Sequence, residues 1–165
     1  MHNELTAVDI KKMQEEVEYR TCVLRPQLLK EVVRTRAFGD LSENAEYHIA
    51  KQEKNANERR IRFLKNMINT AVIVEIEGDE QTIGLFDTVK VYVPEDDCEE
   101  QYQIVTTMRA EIMENRISNE SPAGKALLGR KIGETVTIQV NPQYSYDVVI
   151  REIIKGKDDE NIELR

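Results

Sequence analysis

Near residue 70 the apolar pattern of this chain changes its period, and no single layer of structure can satisfy both halves. Before it, Ile10, Met13, Val17, Leu24, Leu28 and Val32 recur at spacings of three, four or seven, the narrow stripe of a helix packed on one partner. Ile49, Ala56, Ile61, Leu64 and Ile68 repeat the rhythm from Leu41 to about Thr70. Two helices of roughly 30 residues joined by a few residues pair antiparallel, a rod of about 45 Å at 1.5 Å per residue. Pro26 removes one backbone donor from the first helix; because Leu28, Leu29, Val32 and Val33 resume the stripe, it predicts a kink and not an end.

After Thr70 the period falls to two. AVIVEIE, DTVKVYV, QYQIVTT, TVTIQV and YDVVIREII are β-branched runs divided by the turn-forming GDE, PEDD and NPQ. One short helix interrupts them, with Ser121 at its N-cap, Pro122 at its first position and Gly129 after its last turn. The fold class is therefore α+β: an N-terminal antiparallel two-helix coiled coil, residues 1–75, then a small, mostly antiparallel sheet domain with one short helix, residues 76–165. A composition 33% charged and only 5% aromatic agrees with two modest units and not one dense core.

Charge separates the halves further. Residues 1–75 carry 13 Lys and Arg against 12 Asp and Glu, whereas the rest carry 10 against 19, so the net charge of -8 belongs to the second half. Such a surface does not bind naked nucleic acid broadly, since that needs phosphates neutralised by Lys and Arg. Cys22 and Cys98 stand 76 positions apart with only His2 and His48 for company, which predicts free thiols in a reducing cytosol and neither zinc nor a disulfide framework. The opening MHNELTAVDIKK lacks the apolar core of a signal peptide, and no run approaches a membrane span, so a cytoplasmic protein without a membrane partner is expected.

Between the helices lies FGDLSENAEY, residues 38–47, with Asp40, Glu43 and Glu46 at what should be the far end of the rod. Helix chemistry accounts for much of it: Gly39 suits a left-handed position ending the first helix, Asp40 an N-cap, and Glu43 the third position of a capping box. A tip farthest from any core has little structural need for one particular loop, and the residues match a specific pattern. GDLSENAEYHIAK closely resembles the tip signature of the Gre transcript-cleavage factors, bacterial proteins that rescue backtracked RNA polymerase. The resemblance runs through EEVEY, RPQLLKEV, RRIRFL and ISNESPAGKALLGRKIGETV, nearly the whole chain.

That resemblance implies a C-terminal domain similar to the FK506-binding-protein fold. It also implies that the rod enters the secondary channel of RNA polymerase, with Asp40 and Glu43 the catalytic acids at the polymerase active site. There they would share a Mg²⁺ with the polymerase, supplied jointly and not held tightly by this chain alone, and promote cleavage of the extruded 3′ end of the nascent RNA. A basic patch contacting that RNA maps onto Arg34 and Arg36, nearest the tip; a solvated flank paired with Glu15, Glu31, Glu53 and Glu58 is the alternative. Glu120, Ser121 and Pro122 match the surface that docks on the polymerase. The chain is then a cofactor that stimulates an activity of the polymerase, itself no enzyme, and a monomer.

Glu46 could serve the helix dipole instead of the chemistry, Tyr47 packs more readily than it contacts RNA, His48 is a bystander, and Asn44 holds the tip geometry. A channel-binding regulator without cleavage and a structural coiled-coil adaptor are the competing functions. Peptidyl-prolyl isomerisation, suggested by fold analogy alone, wants an aromatic-lined pocket that this Trp-free half does not supply. NANERRIRFLKNMIN is more polar than the stretch common in the family, which implies altered rod stability or tip placement.

Overall fold

The computed structural model describes residues 3–40, 44–75 and 79–165. Contacts divide the chain into two units. One runs from Ile10 to Ala71; the other joins Asn3–Asp9 to Val72–Arg165.

The first unit is a helical hairpin. Helix α1 (Ala7–Tyr19) leads into a π-helical segment, Arg20–Leu24, and then α2 (Arg25–Arg36); α3 (Ala45–Thr70) returns. The π turn stands where the proline demands it. Pro26 lies in the first turn of α2 and cannot donate to the ladder, and the ladder widens so that the Arg25 N–H reaches the Arg20 carbonyl, five residues back. The two arms run antiparallel, since their partners descend along one helix as they ascend along the other: Glu16 meets Arg60, Arg25 meets Glu58 and Arg34 meets Glu46.

The interior of the hairpin is thin. On α3 the buried residues are Ala50, Asn57, Ile61, Leu64 and Met67. The expected stripe is corrected by one position at three places: Ile49 is 56% exposed while Ala50 is buried, and Asn57 and Met67 go inside in place of Ala56 and Ile68. Small Ala50 and hydrogen-bonded Asn57 fit a narrow seam, and the bulkier Ile49 turns outward. The base of α3 therefore buries Ile, Leu and Met, each contributing about 1.5–3 kcal/mol, whereas the tip half relies on polar contacts.

In the second unit, β1 (Asn3–Leu5) and β2 (Ala71–Ile73) form a two-stranded pair. Thr6 caps the helix that follows: its hydroxyl accepts from the Asp9 N–H at 3.3 Å and the Asp9 carboxylate accepts from the Thr6 N–H at 3.1 Å, a reciprocal box. The other Asp9 oxygen meets Arg109 Nε at 2.5 Å, both side chains fully buried, and Arg109 also reaches Asp158 at 2.6 Å. The main sheet has the order β5-β4-β3-β7-β6, with β3 (Thr88–Val93), β4 (Cys98–Val105), β5 (Arg116–Ser118), β6 (Thr135–Asn141) and β7 (Tyr144–Ile154). Its pairs are antiparallel except β4 with β5. Val89, Val91 and Val93 alternate inward on β3 and join Ile104, Val136, Ile138, Val148 and Ile150 beneath Leu127 of α4 (Pro122–Leu127).

Two strand expectations change. Of AVIVEIE, the residues Ala71–Ile73 pair with the N-terminal strand and stay out of the main sheet, whose fifth strand is Arg116–Ser118, unread in the sequence. Three residues are too few to show an alternation, and a parallel partner carries no hairpin turn to announce it.

Candidate functional site at the hairpin tip

The tip is organised around two side chains. Thr35, 1% exposed, turns its hydroxyl back to the Glu31 carbonyl at 2.9 Å, and its own carbonyl accepts the Phe38 N–H as α2 closes. Gly39 follows at φ +101°, a left-handed conformation that reverses the chain and favours glycine. Asn44 opens α3. Its Oδ1 accepts from the Tyr47 N–H at 3.1 Å, and its Nδ2 donates across the hairpin to the Thr35 carbonyl at 2.7 Å. One amide thus caps the second helix and ties it to the end of the first.

This corrects the capping expectation. The N-cap of α3 is Asn44, with extended backbone, and not Asp40 four residues earlier. Asp40 lies just past Gly39 and is exposed. Glu43, its proposed catalytic partner, lies outside the described residues. A carboxylate is the hard oxygen donor that Mg²⁺ prefers, so Asp40 suits that ion. Among the described residues no group of three or more His, Cys, Asp or Glu is gathered to hold a metal.

Behind the tip the two basic candidates differ. Arg34 is held by Glu31 at 2.5 Å and Glu46 at 3.4 Å, with its guanidinium 5.1 Å from the centre of the Phe38 ring. The hydrogen bond to Glu31 pushes the Arg34 pKa up and pulls the Glu31 carboxyl below its ordinary value. Arg36 is exposed, as are Lys51, Arg59, Arg62 and Lys65. Glu46 is therefore an ion-pair partner, and Tyr47 meets the His48 ring edge-on at 5.7 Å.

Far along the sequence, in the second unit, Ser121 does cap α4: its Oγ accepts from the Gly124 N–H at 3.0 Å and donates to the Ser118 carbonyl at 2.6 Å. Gly124 is buried with the Ser118 carbonyl where a Cβ would stand, so the loop closes only around glycine. Glu120 accepts from the Glu4 N–H at 3.4 Å, and Pro122 is exposed. Beside Pro122 lies an apolar hollow of about 350 Å³ walled by Tyr102, Ile112, Ile117, Ala123 and Ile138. Ile112 and Met113, next to it, are 85% and 90% exposed. Neither was singled out in the sequence, where IMEN has no periodic signal; only the fold brings Ile112 to the hollow that Pro122 also lines.

A helical hairpin with an exposed Asp40 past the end of its first arm, in one chain with a curled sheet that presents a capped, proline-headed loop, defines a two-unit α+β protein. Residues 3–73 match the family model described as transcription elongation factor, N-terminal, and residues 78–155 the model described as transcription elongation factor, GreA/GreB, C-term. The chain belongs to the GreA/GreB transcription elongation factor family. It is 45% identical over 139 residues to the transcription elongation factor GreA of Caldanaerobacter subterraneus subsp. tengcongensis, covering 82% of this chain and 87% of that one. It is 42% identical over 135 residues to the Bacillus subtilis GreA, covering 82% and 86%. Among solved structures, the GreA factor homolog 1 (Gfh1) protein of Thermus thermophilus aligns over 94% of this chain and 100% of that chain, with 26% identity and a TM-score of 0.44. Among the described residues no helix is long and apolar enough to cross a membrane.

Proposed function

We propose that this chain is a transcription elongation factor whose hairpin enters the secondary channel of RNA polymerase and stimulates Mg²⁺-dependent cleavage of the 3′ end of backtracked nascent RNA. The observation that supports it most is the division of labour at the tip. Asn44 does the capping of α3, and Asp40 stands exposed just past Gly39 at the end of the first arm. On this reading the hairpin is an antiparallel coiled coil, and the sheet unit is similar to the FK506-binding-protein fold, docking through Glu120, Ser121 and Pro122.

Asp40 and Glu43 would hold a Mg²⁺ together with the polymerase's own ligands. That ion, when bound, supplies positive charge against the developing phosphodiester oxyanion and lowers the pKa of a ligating water. Asp40 offers two acceptor oxygens that also orient water by hydrogen bonding, and Gly39 sets the direction in which it leaves the rod. The Thr35–Asn44 bridge joins the end of α2 to the start of α3, so the two arms are held together beside Asp40. Arg36, at the end of α2, can meet an RNA phosphate, while Arg34 reaches one only by giving up Glu31.

The test is a backtracked elongation complex incubated with the protein and Mg²⁺. Shortened RNA 3′ ends are expected, with free RNA left intact under the same conditions. Binding to polymerase without any cleavage would overturn this reading and leave a channel-occupying regulator.

A further inference from the structure

Asn57 is the one polar side chain among the buried residues of α3, 3% exposed, and it sits where the opposing helix breaks its own ladder. Its Oδ1 accepts from Arg20 Nη1 at 3.2 Å, and its Nδ2 donates to the Arg20 backbone carbonyl at 3.3 Å. Arg20 begins the π-helical segment, and the same carbonyl receives the Arg25 N–H. One amide therefore reads both the side chain and the backbone of a single residue across the hairpin, at the point where the π turn changes the phase of the first arm.

The apolar seam thins toward the tip: Ile61, Leu64 and Met67 hold the base of α3, whereas from its start to Arg60 only Ala50 and Asn57 are buried. Asn44 ties the arms at the tip, but along the rod the ion pairs of Arg25 with Glu58 and Arg60 with Glu16 end in half-exposed side chains long enough to follow a small slip. The short, buried Asn57 amide cannot follow. A slip of one residue moves the helix by about 1.5 Å along its axis. The amide, 3% exposed, would then lose both partners, a penalty that falls only on the wrong register.

We propose that Asn57 is a positioning residue: by pairing with Arg20 it fixes the register of the hairpin and hence the reach of Asp40. The proposal rests on the function proposed above, because only a tip that must meet a reacting centre makes register matter. A buried Asn that specifies alignment does so at a cost in stability, so its replacement by an apolar residue should separate folding from function.

The experiment uses the full chain with Asn57→Leu, and Asn57→Ala as a second variant should the larger side chain prevent folding. Spin labels on Gln27→Cys and Gln52→Cys, both exposed, in a Cys22→Ser, Cys98→Ser background report the spacing of the two arms without any polymerase. The parent should give one narrow distance distribution and the variant a broadened or second one, with an unchanged or raised melting temperature. In the cleavage assay the maximal rate at saturating factor should fall by about tenfold or more, because a misplacement of ~1 Å can cost ~10²-fold, while the half-saturating concentration stays unchanged. A single unchanged distance would overturn the proposal, whatever the activity. So would parallel loss of melting temperature and cleavage, which is the mark of a merely structural residue. If the parent protein itself failed to stimulate cleavage, the functional reading would fall while the distance measurement still decided the register.

Discussion

Asp40 and Asn44 should part company when each is replaced alone. Asn44→Ala removes the cap on α3, a loss of about 1 kcal/mol, and with it the bond from Nδ2 to the Thr35 carbonyl, worth about 0.5–1.5 kcal/mol. Together these make about 1.5–2.5 kcal/mol, concentrated in the first turn of α3, which opens locally before the rod melts. At 1.4 kcal/mol per tenfold, amide exchange at Tyr47 should speed up by roughly 10- to 60-fold. Asp40→Asn touches neither bond, so the same amide should exchange at its parent rate. It replaces a carboxylate with a far poorer Mg²⁺ ligand, and stimulated cleavage should fall by about 10²-fold, with polymerase binding retained. Hydrogen exchange followed by NMR and a cleavage time course on the same preparations decide the matter. Faster exchange at Tyr47 in Asp40→Asn, as large as in Asn44→Ala, would show that Asp40 supports the helix start after all. Parent-level cleavage in Asp40→Asn would remove it from the chemistry.

Arg109→Met strands Asp9 and Asp158 around a buried methionine and should cost about 3–5 kcal/mol, read as a lower urea midpoint for unfolding of the sheet unit. Gly124→Ala drives a methyl group into the Ser118 carbonyl and should destabilise the loop by about 1–3 kcal/mol; weaker polymerase affinity in a binding titration would follow if Pro122 docks there. Burial pushes the Glu16 carboxyl upward, but hydrogen bonds from Arg60 and Arg20 outweigh it and hold the group below its ordinary value of 4.5. A depressed pKa means that the unfolded chain binds the proton more readily, so this contribution is fully present above about pH 4.5 and is lost as pH falls through the folded value. Glu16→Gln should flatten that part of the melting-temperature profile, and an unchanged acid limb would discard the assignment.

The sequence by itself determined the change of period at residue 70, and with it a helical hairpin followed by a sheet, because 3.6- and 2-residue rhythms are written in long runs of local side chains. It also determined the Ser121–Pro122 helix start, whose cap is made within four residues, and the left-handed turn at Gly39. Only the tertiary structure decided that Asn44 and not Asp40 caps α3. Both have capping chemistry, and Asn44 opens the helix with its amide bonded to the carbonyl that Thr35 presents from the other arm. It likewise decided that Asn57 goes inside while Ile49 faces solvent, since the width of the seam and the phase of the π turn depend on both arms at once. Arg116–Ser118 became a strand because β4 offered it an edge, and Arg109 could be buried because Asp9 and Asp158, 100 and 49 residues away, came to meet it. A local pattern records what each residue prefers of its neighbours in sequence; a charge or an amide deep in a protein is settled by partners that only folding brings within reach.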